Sequence, residues 1–191
     1  MNRQNEMKTE FGAALLVQAF PLSLREEAQV AASVVVQLTT ASQWTEQVGL
    51  FVKGEEVLLP SRLRFVTDRD SLQPGSNQWL MVRCLQSRSN DGFQRQRAAR
   101  DLLTDLRPWT APFIVTLIGE YIAEILIDID AALTPHSVAV LAEFIAANPA
   151  FWETSKRRVQ SYFNVYHQRV YSRPDYAGFR LINKLEAQMG K

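Results

Sequence analysis

Helix-start devices recur along the chain after residue 76, and they constrain its fold more than any other feature. Ser76 or Asn77 can cap a helix to about Gln86, and Asp91 can cap one from Gly92 to Leu103. Thr134-Pro135 and Asn148-Pro149 each pair a capping side chain with a proline at the first helical position, where the missing N–H costs nothing. These predict helices to about Ala147 and about Val170. Pro108 and Pro112 frame another start before Phe113, and Arg173-Pro174 opens a last segment ending at Gly190. Segments of roughly 12 to 20 residues joined by short turns predict antiparallel helical pairs, either HEAT-like or in an irregular bundle. The expected class is mainly α.

The first part of the chain reads differently. Ser23 precedes Leu24-Arg25-Glu26-Glu27 and matches the Ser-x-x-Glu capping box, predicting a helix from about Leu24 to Gln37. Gly49–Val52, a turn at Lys53-Gly54-Glu55-Glu56, and Val57–Pro60 predict a short β-hairpin that must rest on helices. The polar stretch 67–76 is the expected boundary between an N-terminal α/β portion, 1–75, and a helical portion, 76–191, within one compact unit. A chain of 191 residues can bury roughly 70% of its unfolded surface without staples.

Net charge is +1, but it is unevenly distributed. Residues 110–150 hold five acids and no Lys or Arg, between arginine-rich residues 76–109 and a C-terminal block with eight bases against three acids. Within the acidic stretch, Phe113–Asp130 is rich in isoleucine. A hairpin turning at Gly119-Glu120 is one reading. A helix fits better, because Ile114, Leu117, Ile118, Tyr121, Ile122, Ile125, Ile129 and Leu133 form one stripe. On a helix, Glu120, Glu124 and Asp128 fall on a common strip. Such a strip can pair with Arg95, Arg97 and Arg100, meet a basic partner, or supply acid–base chemistry.

The C-terminal block interleaves bases with aromatics. Arg157, Arg158, Arg169 and Arg173 alternate with Tyr162, Phe163, Tyr166 and Tyr171, a composition able to track a nucleic-acid backbone. The competing reading makes Trp152, Val159, Phe163, Tyr166 and Val170 a core stripe, with the bases solvated on the other face.

Familiar chemistries lack their motifs. There is no phosphate-binding glycine loop, zinc helix, calcium loop or nucleophile elbow. The single Cys84 sits among Leu80, Met81 and Leu85, as a core residue does. His136 follows a helix-opening proline, and His167 lies 31 residues on in an aromatic helix. No catalytic residue, metal or cofactor is therefore expected, and with a free thiol and no export signal the expected location is cytoplasmic, without a membrane span.

Three segments carry a likeness. Pro60-Ser61-Arg62, then Arg88-x-x-Asp91-Gly92-Phe93-x-Arg95-x-Arg97, then Pro112-Phe113-x-x-x-Leu117-x-Gly119-Glu120-Tyr121 resemble a group of uncharacterised bacterial proteins over roughly residues 50–130. The group implies no activity. The run Asp91–Leu103 is also similar to the second helix of HEAT-type repeats, which implies that Asp91 caps the helix and that Arg95, with Arg97, binds neighbouring turns. The expected function is a non-enzymatic protein-binding module, of the immunity or adaptor type, meeting a basic partner such as a toxin domain through Glu120, Glu124 and Asp128. The alternative is a nucleic-acid-binding protein using Arg157, Arg158, Arg169 and Arg173. The oligomeric state is left open.

Overall fold

A computed structural model describes residues 11–190; the polar start, 1–10, and Lys191 lie outside the described residues. The chain opens with α1 (Ala13–Val17) and α2 (Arg25–Leu38), followed by the antiparallel strands β1 (Gln47–Val52) and β2 (Glu55–Pro60). Seven helices follow: α3 (Asn77–Gln86), α4 (Gly92–Thr104), α5 (Ala111–Ile118), α6 (Ala123–Ala132), α7 (Pro135–Ala147), α8 (Pro149–Tyr162) and α9 (Ala177–Met189). The protein is mainly helical with one small hairpin.

Local capping explains most of these boundaries. The Ser76 hydroxyl accepts from Trp79 N at 3.2 Å, Asp91 Oδ1 accepts from Phe93 N at 2.8 Å, and Thr134 Oγ1 accepts from Ser137 N at 3.2 Å. Asn148 precedes Pro149 as expected, but its side chain is spent elsewhere. Its Oδ1 accepts from Phe51 N and its Nδ2 donates to Phe51 O and Phe144 O, each at 2.8 Å. One buried amide thus ties the outer edge of β1 to the α7–α8 turn, satisfying backbone groups that an edge strand leaves open.

The hairpin turns through Lys53 and Gly54, both with positive φ (51° and 82°), the mirror-image turn that suits the twist of two adjoining strands. Leu50, Val52, Val57 and Leu59 are buried, and Leu58 N donates to Gln18 O at 2.8 Å, so the hairpin rests on the N-terminal segment. Stretch 67–76 does not separate two cores. Arg97 binds Asp68 at 2.5 Å, Arg83 binds Asp70 at 3.0 Å, and one continuous apolar core runs from Leu15 to Leu185.

Four expectations need correction. Ser23 caps no helix: Pro21 starts a 3-10 turn over Leu22–Leu24, Leu24 N donates to Pro21 O, and α2 begins only at Arg25. The segment 113–133 is helical but broken at 119–122, so the three acids share no strip. At the break Gly119 lies against α8, where a Cβ would come within 3.4 Å of Arg158 Cδ. The long C-terminal helix ends at Tyr162 and passes into a π turn, Phe163–His167. That extra residue per turn shifts the helical phase. Trp152, Val159 and Phe163 stay in the core while Tyr166 and Val170 are exposed. Finally, Pro174 does not open the last helix, which begins at Ala177.

No single helix among the described residues is long and apolar enough to cross a membrane.

Candidate functional site: a buried arginine cluster around Glu120

The three motif segments meet in space. After β2 the chain runs beside the α3–α4 turn, with Leu63 N donating to Arg88 O at 2.8 Å and Asn90 N donating to Leu63 O at 3.0 Å. This ladder brings Arg62 to the turn that carries Arg88. Asp91 caps α4, and one turn on Arg95 folds back so that Nη1 donates to Ser89 O (2.9 Å) and Asn90 O (3.1 Å). The break between α5 and α6 then delivers Glu120 into the middle.

Glu120 is 4% exposed, and both of its oxygens are occupied. Oε1 accepts from Arg62 Nη2 at 2.5 Å and Oε2 from Arg95 Nη2 at 3.2 Å. Arg95 is 2% exposed and Arg62 37%. Arg88, 5% exposed, pairs with no carboxylate among the described residues; its Nε donates to Pro60 O at 3.0 Å and its Nη2 to Ser61 O at 2.5 Å. Among the described residues, the buried guanidinium nitrogens Arg62 Nη1, Arg88 Nη1 and Arg95 Nε lack acceptors. Burial, and after it the charge of Arg62, pushes the Arg88 pKa down to about 9, with Arg95 and Arg158 adding to the depression and Glu120 opposing it. A guanidinium holds its proton through the whole physiological range. The pressure on Arg88 comes first from its burial and second from the positive charge of Arg62 beside it.

Arg88 and Arg158 wall a cavity of about 350 Å³ between the hairpin and α8, with Ser61, Thr116 and Thr154 as its other polar groups and Leu50, Leu59 and Phe151 among its apolar ones. A larger cavity of about 790 Å³ lies between α1, α2 and the hairpin. There Arg25 is set against Glu55 and Glu56, so the charged wall residues carry an acidic excess rather than a basic one.

The remaining sequence candidates separate. Asp128 accepts from Arg100 Nε at 2.8 Å and Gln96 Nε2 at 2.7 Å; Glu124 is exposed and makes no ion pair among the described residues. Arg97 turns away from the acids to Asp68. Asp130 takes both Arg180 (2.7 Å) and Lys184 (2.6 Å), and Glu143 takes Lys53. Four of the five acids in 110–150 are thus satisfied inside the chain, against the expectation of an uncancelled acidic field. The C-terminal bases divide the other way. Lys156, Arg180 and Lys184 are paired with acids, whereas Arg157, Arg158, Arg169 and Arg173 are exposed and form no ion pair among the described residues.

Burial raises the Cys84 pKa well above the ordinary thiol value, which keeps it a protonated core group. His136 is exposed, and His167 Nε2 lies 2.8 Å from Tyr121 O with its ring stacked on Tyr176. No cluster of three or more His, Cys, Asp or Glu that could hold a metal occurs among the described residues. Sequence reasoning found Arg95 and Glu120 but missed Arg62 and Arg88 as their neighbours; the only pointer to them was their place inside the motif segments. Compared with protein families, curated proteins and solved structures, the chain matches none.

Proposed function

We propose that the protein is a binding module that takes up an anionic group presented by its partner, and that the arginine cluster is the site. One observation carries this reading: a single carboxylate, with both oxygens engaged by Arg62 and Arg95, faces Arg88 as well, and Arg88 walls a cavity beside Arg158. Uncompensated buried charge is costly, and an oxyanion at the cavity would offset it with charge-assisted hydrogen bonds. The partner is then acidic, the reverse of the basic partner that an acidic strip implies. The unpaired Arg157, Arg158, Arg169 and Arg173 extend the same sign of potential over α8 and beyond, where they steer an anionic partner inward.

The test is thermal melting in sodium phosphate and in sodium chloride at equal ionic strength. Phosphate is expected to raise the melting temperature by several degrees beyond chloride, because a ligand that binds only the folded state stabilises it. Arg158→Ala, at an exposed position, should fold normally and lose most of that gain. Equal melting in the two salts would overturn the proposal.

A further inference from the structure

We infer that the anion is the phosphate of a nucleotide, whose base lies on the tyrosine cluster beside the arginines. This rests on the anion-binding reading and adds a second recognition element that inorganic phosphate cannot use. The rings of Tyr121, Tyr162 and Tyr166 form a triangle with centroid distances of 6.0, 6.1 and 6.1 Å. Tyr121 is 48% exposed and Tyr166 59%, and Val165 and Val170 are also exposed nearby in sequence. Three ring faces this close together offer a flat base a surface to stack on.

The platform is joined to the arginine cluster at two points. Tyr121 directly follows Glu120, and its carbonyl is fixed by His167, which stacks on the buried Tyr176 at 5.1 Å. Tyr162 stands one helical turn beyond Arg158, so the two side chains share a face of α8 about 6 Å apart along the axis. The face begins in the cavity, at Phe151 and Thr154, passes Arg158 and ends on the tyrosines. The π turn after Tyr162 carries Tyr166 out of the core stripe and onto this platform. A phosphate near Arg158 and Arg88 therefore leaves an attached planar base within reach of an aromatic surface. Stacking of this kind is tolerant of base identity. The ligand chemistry is a 5′-phosphorylated nucleoside, free or as the end of a single strand.

The test compares the full chain's affinity for adenosine monophosphate, inorganic phosphate, a short single-stranded oligonucleotide with and without a 5′ phosphate, and a phosphoserine peptide. The mononucleotide is expected to bind about tenfold or more tighter than phosphate, as one stacked base supplies. Tyr166→Ala should remove that gain while leaving phosphate affinity unchanged, and Arg158→Ala should weaken both. If the 5′-phosphorylated strand binds more tightly than both the mononucleotide and the unphosphorylated strand, the source is a strand end; if it only equals the mononucleotide, the source is the free nucleotide. Nucleotide binding no tighter than phosphate overturns the base platform and leaves anion binding standing. Failure of phosphate and nucleotide alike overturns both. Tighter capture of the phosphopeptide than of the nucleotide overturns the nucleotide assignment alone.

Discussion

Replacing Glu120 by glutamine keeps its shape but turns one of its two acceptor oxygens into a donating amide and removes the negative charge set against the buried arginines. Arg95 and Glu120 are both almost wholly buried, so their pair is screened little by water, whereas Arg62 is more than a third exposed and contributes less. Removing one member of a buried pair leaves an uncompensated charge and costs roughly 3–5 kcal/mol. For a chain of this size each kilocalorie moves the melting temperature by about 2–4 °C, so Glu120→Gln should melt roughly 6–20 °C lower. Arg88 sharpens the expectation, because the charge of Glu120 opposes the depression of its pKa. Circular dichroism at 222 nm, read during heating in low-salt buffer, measures the shift. Added phosphate should restore part of it, since the variant has one more unit of positive charge to neutralise. A melting temperature within about 2 °C of the parent would refute the claim that Glu120 holds the cluster together.

Asn148→Ala removes three 2.8 Å hydrogen bonds and strands the edge groups of Phe51, so chemical denaturation should show a loss of about 1–3 kcal/mol. Burial raises the Tyr176 pKa from 10.0 to about 12, the Tyr171 charge adding to it, so native protein keeps a proton that the unfolded chain loses. Its contribution to stability is full below pH 10 and is lost as pH rises toward about 12; Tyr176→Phe should flatten the fall of the urea midpoint over that window and delete the highest-pH step of tyrosinate absorbance. Glu124→Ala, at an exposed acid without an ion pair, should change stability by less than about 0.5 kcal/mol, and a larger loss would mean that it has a structural partner.

What the sequence revealed follows the range of the interactions involved. Thr134-Pro135, Ser76 and Asp91 act within three residues, so their helix starts were legible. The hairpin was legible from its two apolar runs, but its turn is Lys53-Gly54 alone: the positive φ of both residues closes a tight turn, and Glu55 and Glu56, expected in the turn, already pair in β2. Ser23 misled because Pro21, two residues earlier, started a tighter turn that used up the position. The break after Ile118 depends on α8 pressing against Gly119 from a segment more than thirty residues away, which no local period encodes. Phe163–His167 defeated the stripe through Tyr166 and Val170, since one extra residue in the turn rotates the residues after it by about 100° away from the core. At the site, pairing of Glu120 with Arg95 was one of the readings open in the sequence, alongside a partner-binding strip, and the structure places Glu120 in the break between α5 and α6 rather than on a helix. Arg62 lies 58 residues from Glu120, and only the ladder between Leu63 and the Arg88–Asn90 turn brings the two together.

The charge blocks have a physical consequence once their partners are known. The acids of 110–150 draw bases from three other parts of the chain: Arg62 and Lys53 from the hairpin region, Arg95 and Arg100 from α4, Arg180 and Lys184 from α9. That block therefore acts as an internal counter-charge holding the helices together, and little of its field reaches solvent. Among the bases it leaves without an ion pair in the described residues are Arg88 beneath the hairpin and Arg157, Arg158, Arg169 and Arg173 on and after α8. Arg158 is both cavity wall and surface charge. A near-zero net charge thus coexists with a one-sided local potential. Binding driven by that potential should weaken steeply with salt, whereas the buried Arg95–Glu120 pair should not. Melting that is insensitive to sodium chloride, together with anion uptake that falls with it, is the signature expected of this separation between structural and recognition charges.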